Sequence, residues 1–410
     1  MNQSKITVYR TALALFIVAN VLELFIPRMD EGNYFVRMPI QLINGGLLVL
    51  MWATLLNNRN HWTPVTKITL VVILMILVYT AGYLMNNQME VSAYAAYIRF
   101  LLWTTSLIFF YEMMLKYGID NKLMCIYILT FVAGVAKKLF ETPVTELDNL
   151  GAGDTAALPL LFITPIILVC FSDKTKMLIL SVVAVLILIS LRRTVILGFA
   201  ISFPFIYKYI SAKLKTHHLV LLSFAFMLAI YFAWGYIGEA LIFRFENLLV
   251  GDGGGAKDSY GSGRSEFYMI VLNGWFNSDL PAMIYGHGLI DIAELLSRTY
   301  GITHAHNDIL EIGYTFGFIG IGVWFTFLGR LWGLRNEMRR YVPENTNLFY
   351  VAFISYLIIG LASGCILRIT TMPLAFSIAI LVYQVQTAKY AKAVQPETDA
   401  QIKSEDYVPV

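Results

Sequence analysis

Lys67-Ile-Thr-Leu-Val-Val-Ile-Leu-Met-Ile-Leu-Val-Tyr-Thr-Ala-Gly-Tyr-Leu-Met85 carries no charge after its first residue. A helix of that length crosses about 30 Å of hydrocarbon. Apolar runs of roughly 17–22 residues recur along the whole chain, as membrane-crossing helices require. Of the 410 residues, 58% are hydrophobic and 14% charged, which excludes an ordinary soluble domain. Alternating ten-residue segments, the mark of a membrane barrel, are missing, so the predicted fold is all-α and polytopic.

Outward from this run, the expected spans are 10–27, 38–56, 67–85, 93–114, 122–140, 157–172, 176–191, 194–210, 218–238, 309–330, 346–366 and 371–388. That makes about twelve transmembrane helices. The first lacks a small-residue cleavage site and reads as a retained helix rather than a signal peptide. With a cytoplasmic N-terminus, one set of loops carries Arg59, Lys67, Lys116, Lys122, Lys174, Lys176, Lys208, Lys213, Lys215, Arg330, Arg335, Arg339 and Arg340. This is the positive-inside pattern, and it places both termini in the cytoplasm. The organisation expected is spans one to nine in 1–238, a long outer loop at 239–308 and spans ten to twelve in 309–388. A polar, disordered cytoplasmic tail is expected over 389–410. Cys125, Cys170 and Cys365 all lie in apolar runs, so neither a disulfide framework nor a cysteine metal site is expected.

The long outer loop opens on the helix-like Glu239–Leu249 and continues through the glycine-rich Gly251–Gly263. Amphipathic stretches follow near 264–277 and 289–299. A helical cap over the outer ends of the bundle is predicted. Several cations break the positive-inside rule: Arg99 within span four, Lys137 and Lys138, Arg192 and Arg193, Arg264, and Arg368. Each can be read as an interfacial anchor or a partner of a loop acid. Converging on one face, they would instead suit an anionic ligand, because a guanidinium binds phosphate in bidentate fashion.

The sharpest local signal is Thr303-His304-Ala305-His306-Asn307-Asp308, leading into span ten. Imidazole has the basicity to take a proton from a hydroxyl near neutral pH. Glu311 or Asp308 could orient it, or Asp308 could cap the helix. His304, His306 and Asp308 also alternate as an extended zinc-binding segment would, but no second cluster of ligands completes a shell, and no metal is expected. Gly313, Gly317, Gly320 and Gly322 read as small residues that let helices pack closely.

Here the residues acquire a resemblance. His306-Asn307, nine residues and Gly317-Phe-Ile-Gly320 resemble the His-Asn-x9-Gly-x-x-Gly signature of the bacterial O-antigen ligases. The O-antigen and exopolysaccharide polymerases of the same superfamily are similar in this region. Ser190-Leu-Arg-Arg-Thr194 is similar to that family's Ser-Arg turn, Arg193 being the better match and Arg192 standing where a small residue is usual. Ser262-Gly-Arg264, Trp275 and Tyr285-Gly-His-Gly288 resemble the loop ahead of its histidine motif.

The resemblance implies a GT-C type membrane glycosyltransferase of the bacterial inner membrane, with no cofactor and its active site facing the periplasm. It implies an undecaprenyl-diphosphate-linked oligosaccharide donor and a glycolipid or lipid A–core acceptor. A chain-length regulator is a possible partner in that setting, and nucleic acid is not. The resemblance implies His306, Arg193 and Arg264 as catalytic residues; the outer cations and the histidine cluster add Arg192, Arg99, His304, Asn307 and Arg368 as candidates to bind diphosphate or sugar. A polymerase extending lipid-linked repeat units for O-antigen, capsule or exopolysaccharide is preferred, and a ligase handing the glycan to lipid A–core is the alternative. The short tail argues mildly against a protein-glycosylating member. A flippase or transporter is the competing class, but it would place charges near the bilayer midplane, and most of these spans have none there.

Overall fold

The structure, a computed structural model, describes residues 3–25, 34–57, 66–85, 91–141, 157–190, 192–212, 227, 231, 264–288, 292, 294–296, 305–364, 366 and 371–405. Regular structure among them is helical, with no strand. The helices are α1 (Gln3–Phe25), α2 (Tyr34–Asn57), α3 (Lys67–Met85), α4 (Val91–Tyr117), α5 (Asn121–Glu141), α6 (Leu158–Cys170) and α7 (Asp173–Ile189). They continue as α8 (Arg193–Ser211), α9 (Arg264–Phe276), α10 (Leu280–Tyr285), α11 (Asp308–Tyr341), α12 (Thr346–Ser363) and α13 (Met372–Glu405). Every expected span except 218–238 coincides with one of these helices; that one lies outside the described residues apart from 227 and 231.

Among the described residues, seven helical segments are long and apolar enough to cross a membrane: Pro39–Asn57, Lys67–Met85, Tyr97–Tyr117, Asn121–Phe140, Arg193–Ser211, Asp308–Tyr341 and Pro343–Ser363. They point to a membrane protein. α3 shows the solvent relation directly. Val71, Val72, Met75, Ile76, Tyr79 and Gly82 are buried, while Leu70, Leu74, Leu77 and Leu84 on the opposite face are exposed. A helix apolar on both faces, with one packed and one bare, suits a hydrocarbon solvent. α6 is apolar all round and buried along nearly its whole length, as a central helix must be.

Two helices overrun their expected spans. α11 continues to Tyr341, and α13 continues to Glu405 where a disordered tail was expected. Beyond the apolar part of α13, Gln386-Thr-Ala-Lys-Tyr-Ala-Lys-Ala393 is rich in good helix formers, so the helix has no reason to stop at the end of the apolar stretch.

The main core joins α1 to α8 with α11, α12 and α13. A second, smaller core forms where the long loop meets α11: Val271 and Trp275 of α9 pack with Ile292, Leu296, Ala305, Leu310 and Tyr314. What holds this loop in place is a break in α11. Gly317 has φ 63 and ψ −164, a region open only to glycine. The break releases the carbonyls of Tyr314 and Thr315 from the helical ladder. The N–H groups of His287 and Gly288 donate to them, at 2.8 and 3.1 Å.

The loop can approach this closely because Gly286 (φ 86, ψ 172) meets the broken turn without a side chain. A Cβ there would sit 2.2 Å from the Thr315 carbonyl oxygen, and one on Gly317 would sit 2.2 Å from that of Ile284. Gly313 accommodates the Trp275 ring. The glycine series is therefore not a uniform packing stripe: Gly317 breaks the helix, while a Cβ on Gly322 would meet nothing within 4 Å.

Gly317→Ala should destabilise the protein by about 3 kcal/mol or more, through the forbidden backbone conformation and the clash with Ile284. Gly322→Ala should be neutral or slightly stabilising. Thermal unfolding of the purified protein in detergent compares the two, and equal melting temperatures would contradict this account of the break.

Candidate functional site

α11 starts beside the end of α12, and Asn307 serves both helices. Its Oδ1 accepts from the N–H groups of Ile309 (2.9 Å) and Leu310 (3.2 Å), capping α11. Its Nδ2 donates to the Leu361 carbonyl (2.9 Å), in the last turn of α12. Helix ends leave such groups unsatisfied, and one carboxamide here answers to both ends. Asn307, rather than Asp308, is thus the cap.

Asp308 does something else. It is wholly buried, and its Oδ1 accepts from the Ile366 N–H at 3.0 Å. The carbonyl of the same Ile366 accepts from the indole Nε1 of Trp103, in α4, at 2.7 Å. Both polar groups of a residue outside regular helix are therefore held by side chains of two different helices, as burial demands.

His306 precedes the cap with φ 56, and among the described residues it is the one non-glycine residue with a positive φ. Its backbone N–H donates to Glu311 Oε1 at 3.2 Å. Glu311 is 1% exposed, and its carboxylate lies against Gly364, the residue that ends α12 with φ 65. A Cβ on Gly364 would stand 3.2 Å from both carboxylate oxygens and 3.4 Å from the Asn307 nitrogen. The backbone of His306 is thereby fixed in an uncommon conformation by a buried acid, which in turn is packed under a glycine. Strained, over-determined backbone of this kind gathers at functional sites.

From the other side comes Arg192. It is the N-cap residue of α8, its carbonyl accepting from the N–H groups of Val195 and Ile196 and its own N–H donating to Ser190 Oγ at 3.3 Å. Its side chain is largely buried, and Nη2 donates to Ser363 Oγ at 3.3 Å. Ser363 adjoins Gly364, so the guanidinium and the Glu311 carboxylate approach the same two residues of the α12 end. Arg193, the better match to the family's turn, is the first residue of α8 and half-buried; the guanidinium that reaches Ser363 belongs to Arg192.

Of the sequence-predicted residues, Asn307, Arg192 and, through Glu311, His306 are therefore each tied to the end of α12, at Leu361, Ser363 and Gly364. Arg99 is partly buried one helical turn before Trp103, on the same face of α4. Arg264 begins α9, but its side chain lies outside the described residues, as do His304 and Arg368 altogether. Lys137 and Lys138 close α5.

Ser363, Gly364, Ile366 and Trp103 were not legible as site residues. In the sequence they look like the end of one apolar run and the middle of another, and only folding joins them to His306. No three His, Cys, Asp or Glu side chains gather to hold a metal ion among the described residues. Compared with known proteins, the chain matches no family model and no curated protein sequence.

Removing the Asp308 carboxylate should leave the Ile366 amide buried without an acceptor, at a cost of about 1–3 kcal/mol. Asp308→Ala is expected to speed hydrogen exchange at Ile366 by about tenfold or more, as read by mass spectrometry of peptides covering 361–371. Unchanged exchange there would show that Asp308 does not hold the segment.

Proposed function

We propose that this protein is a membrane glycosyltransferase that extends an undecaprenyl-diphosphate-linked oligosaccharide. In this reading the chain crosses the bacterial inner membrane twelve times in a GT-C type arrangement, with both termini cytoplasmic and the His306 site on the periplasmic face. The observation that supports it most is that His306, in its fixed left-handed backbone, and the Arg192 guanidinium are both tied to the end of α12, the one through Glu311 beside Gly364 and the other through Ser363. A base and a phosphate-binding cation on one buried scaffold are the two parts that transfer from a diphosphate needs.

The chemistry follows from those parts. The acceptor is a sugar hydroxyl. The His306 imidazole takes its proton as the oxygen attacks the anomeric carbon, and the bond from that carbon to the diphosphate oxygen breaks. The attack comes from the face opposite the leaving group, so the configuration inverts. Arg192 and Arg193, with Arg264 from the cap, stabilise the negative charge that develops on the departing diphosphate. The same reading assigns diphosphate or sugar contacts to Asn307, whose Nδ2 keeps one N–H beyond its bond to Leu361, and to His304, Arg99 and Arg368. No metal is required, because guanidinium groups supply the charge stabilisation.

The acceptor is taken to be a second lipid-linked repeat unit, which makes the protein a polymerase of O-antigen, capsule or exopolysaccharide. Incubating the purified protein with a matched undecaprenyl-diphosphate oligosaccharide, with and without lipid A–core, tests this. A ladder of longer lipid-linked chains in the absence of core is expected. His306→Ala should slow its formation by about a hundredfold or more. Product formed only with core would convert the assignment to a ligase, and no product under either condition would overturn glycosyl transfer.

A further inference from the structure

At the end of α11 farthest from His306 the chain gathers cations around aromatic rings. Beyond its break at Gly317, α11 runs on without interruption to Tyr341, about 36 Å at 1.5 Å per residue and longer than the roughly 30 Å of a hydrocarbon core. Its overhang runs beside the overhang of α13. The Tyr341 ring has the Arg340 guanidinium at 5.3 Å and, from α13, the Lys389 and Lys392 ammonium groups at 5.4 and 5.9 Å. Earlier on the same helix Arg335 stacks over the exposed Trp332 at 4.3 Å, and Arg339, beside Arg340, donates to the Tyr350 hydroxyl at 2.8 Å.

Three cations facing one ring repel each other, and the ring quadrupole offsets only part of that repulsion. The acid in contact with the group is Glu337, whose Oε2 takes Lys389 at 2.8 Å. Arg340 and Lys392 have no carboxylate partner among the described residues, and both are exposed. The cluster therefore has an excess of positive charge, fixed in place by two packed helices. Tryptophan and tyrosine in its midst are the residues that favour the headgroup level of a bilayer.

We propose that this end of the α11–α13 pair is a binding site for the phosphate of an anionic phospholipid headgroup. Arg340, Lys389 and Lys392 hold the phosphate over Tyr341, and Trp332 with Arg335 marks the level at which the acyl chains begin. An anionic lipid is the occupant favoured over a soluble partner because the site lies where a helix leaves the hydrocarbon and because its rings are amphipathic. Juxtamembrane cation clusters of this size draw anionic lipid with a roughly additive contribution from each charge. The site would tether the far end of α11, the helix whose other end carries His306, and the inference stands whether or not the chain transfers sugars.

The test uses the full chain purified in a neutral detergent. It is titrated with phosphatidylglycerol, phosphatidylcholine of the same acyl length, inorganic phosphate and a polyglutamate peptide. Lipid retention is read by native mass spectrometry and binding by tryptophan fluorescence. Phosphatidylglycerol is expected to bind saturably and at least tenfold more tightly than phosphatidylcholine. The double variant Arg340→Gln/Lys392→Gln should weaken it by about thirtyfold, near fivefold for each charge removed. Arg10→Gln, an exposed cation paired with Asp120 elsewhere on the protein, should leave it unchanged. Equal affinity for the two lipids, or equal phosphatidylglycerol binding by the double variant and the unaltered protein, would overturn the site. Inorganic phosphate or polyglutamate binding as tightly as the anionic lipid would overturn its assignment to a lipid.

Discussion

Asp308 sits without exposure at the first turn of a long apolar helix, and its carboxylate accepts the amide of a residue 58 positions further along the chain. Backbone outside a helix and buried within the protein has no water to satisfy it, so each of its polar groups needs a partner from the protein. Ile366 obtains both of its partners that way, the carboxylate from α11 and the Trp103 indole from α4. This clasp holds the chain where it leaves α12. It also ties the start of α11 and the stretch after α12 to the middle of α4, and the other features of the site depend on that meeting.

Around the clasp the same logic repeats at shorter range. Asn307 closes the ends of two helices at once. Glu311 holds the amide of His306, and Gly364 leaves room for the carboxylate that does so. Arg192 arrives through Ser363. Below it, the break at Gly317 takes the His287–Gly288 amides and seats the small core of the loop on α11. The result is a set of polar side chains whose positions are set by the fold itself; if the proposed transfer takes place here, such fixed dipoles and charges would stabilise its transition state.

Much of the bundle could be read from hydrophobic run length alone. The run 67–85 becomes a helix over those same residues, since in hydrocarbon a segment of that length has few alternatives. The motif at 303–308 was visible because two imidazoles, an amide and a carboxylate at the mouth of a span are unusual. What could not be read was long-range. Nothing in Ser363-Gly364 announces that Arg192 and Glu311 come to it from either side. The choice between Arg192 and Arg193 depends on which one faces α12, a matter of helix rotation and not of motif. Gly317 looked like its neighbours Gly313 and Gly320, because a helix break and a packing glycine are written with the same letter. The overrun of α11 and α13 was missed because polarity marks the edge of the membrane and not the end of a helix.

The central claim is that His306, the α12 end and the Arg192 turn form one binding site for a diphosphate-linked sugar. Hydrogen exchange with and without an undecaprenyl-diphosphate oligosaccharide tests it most directly, in the unaltered protein and at a donor concentration that saturates binding. Exchange is predicted to slow together in three separate stretches, 190–196, 305–311 and 361–366, because one ligand would bridge them. Protection confined to one stretch, or found elsewhere in the bundle, would contradict the account and separate the histidine motif from the cations around it.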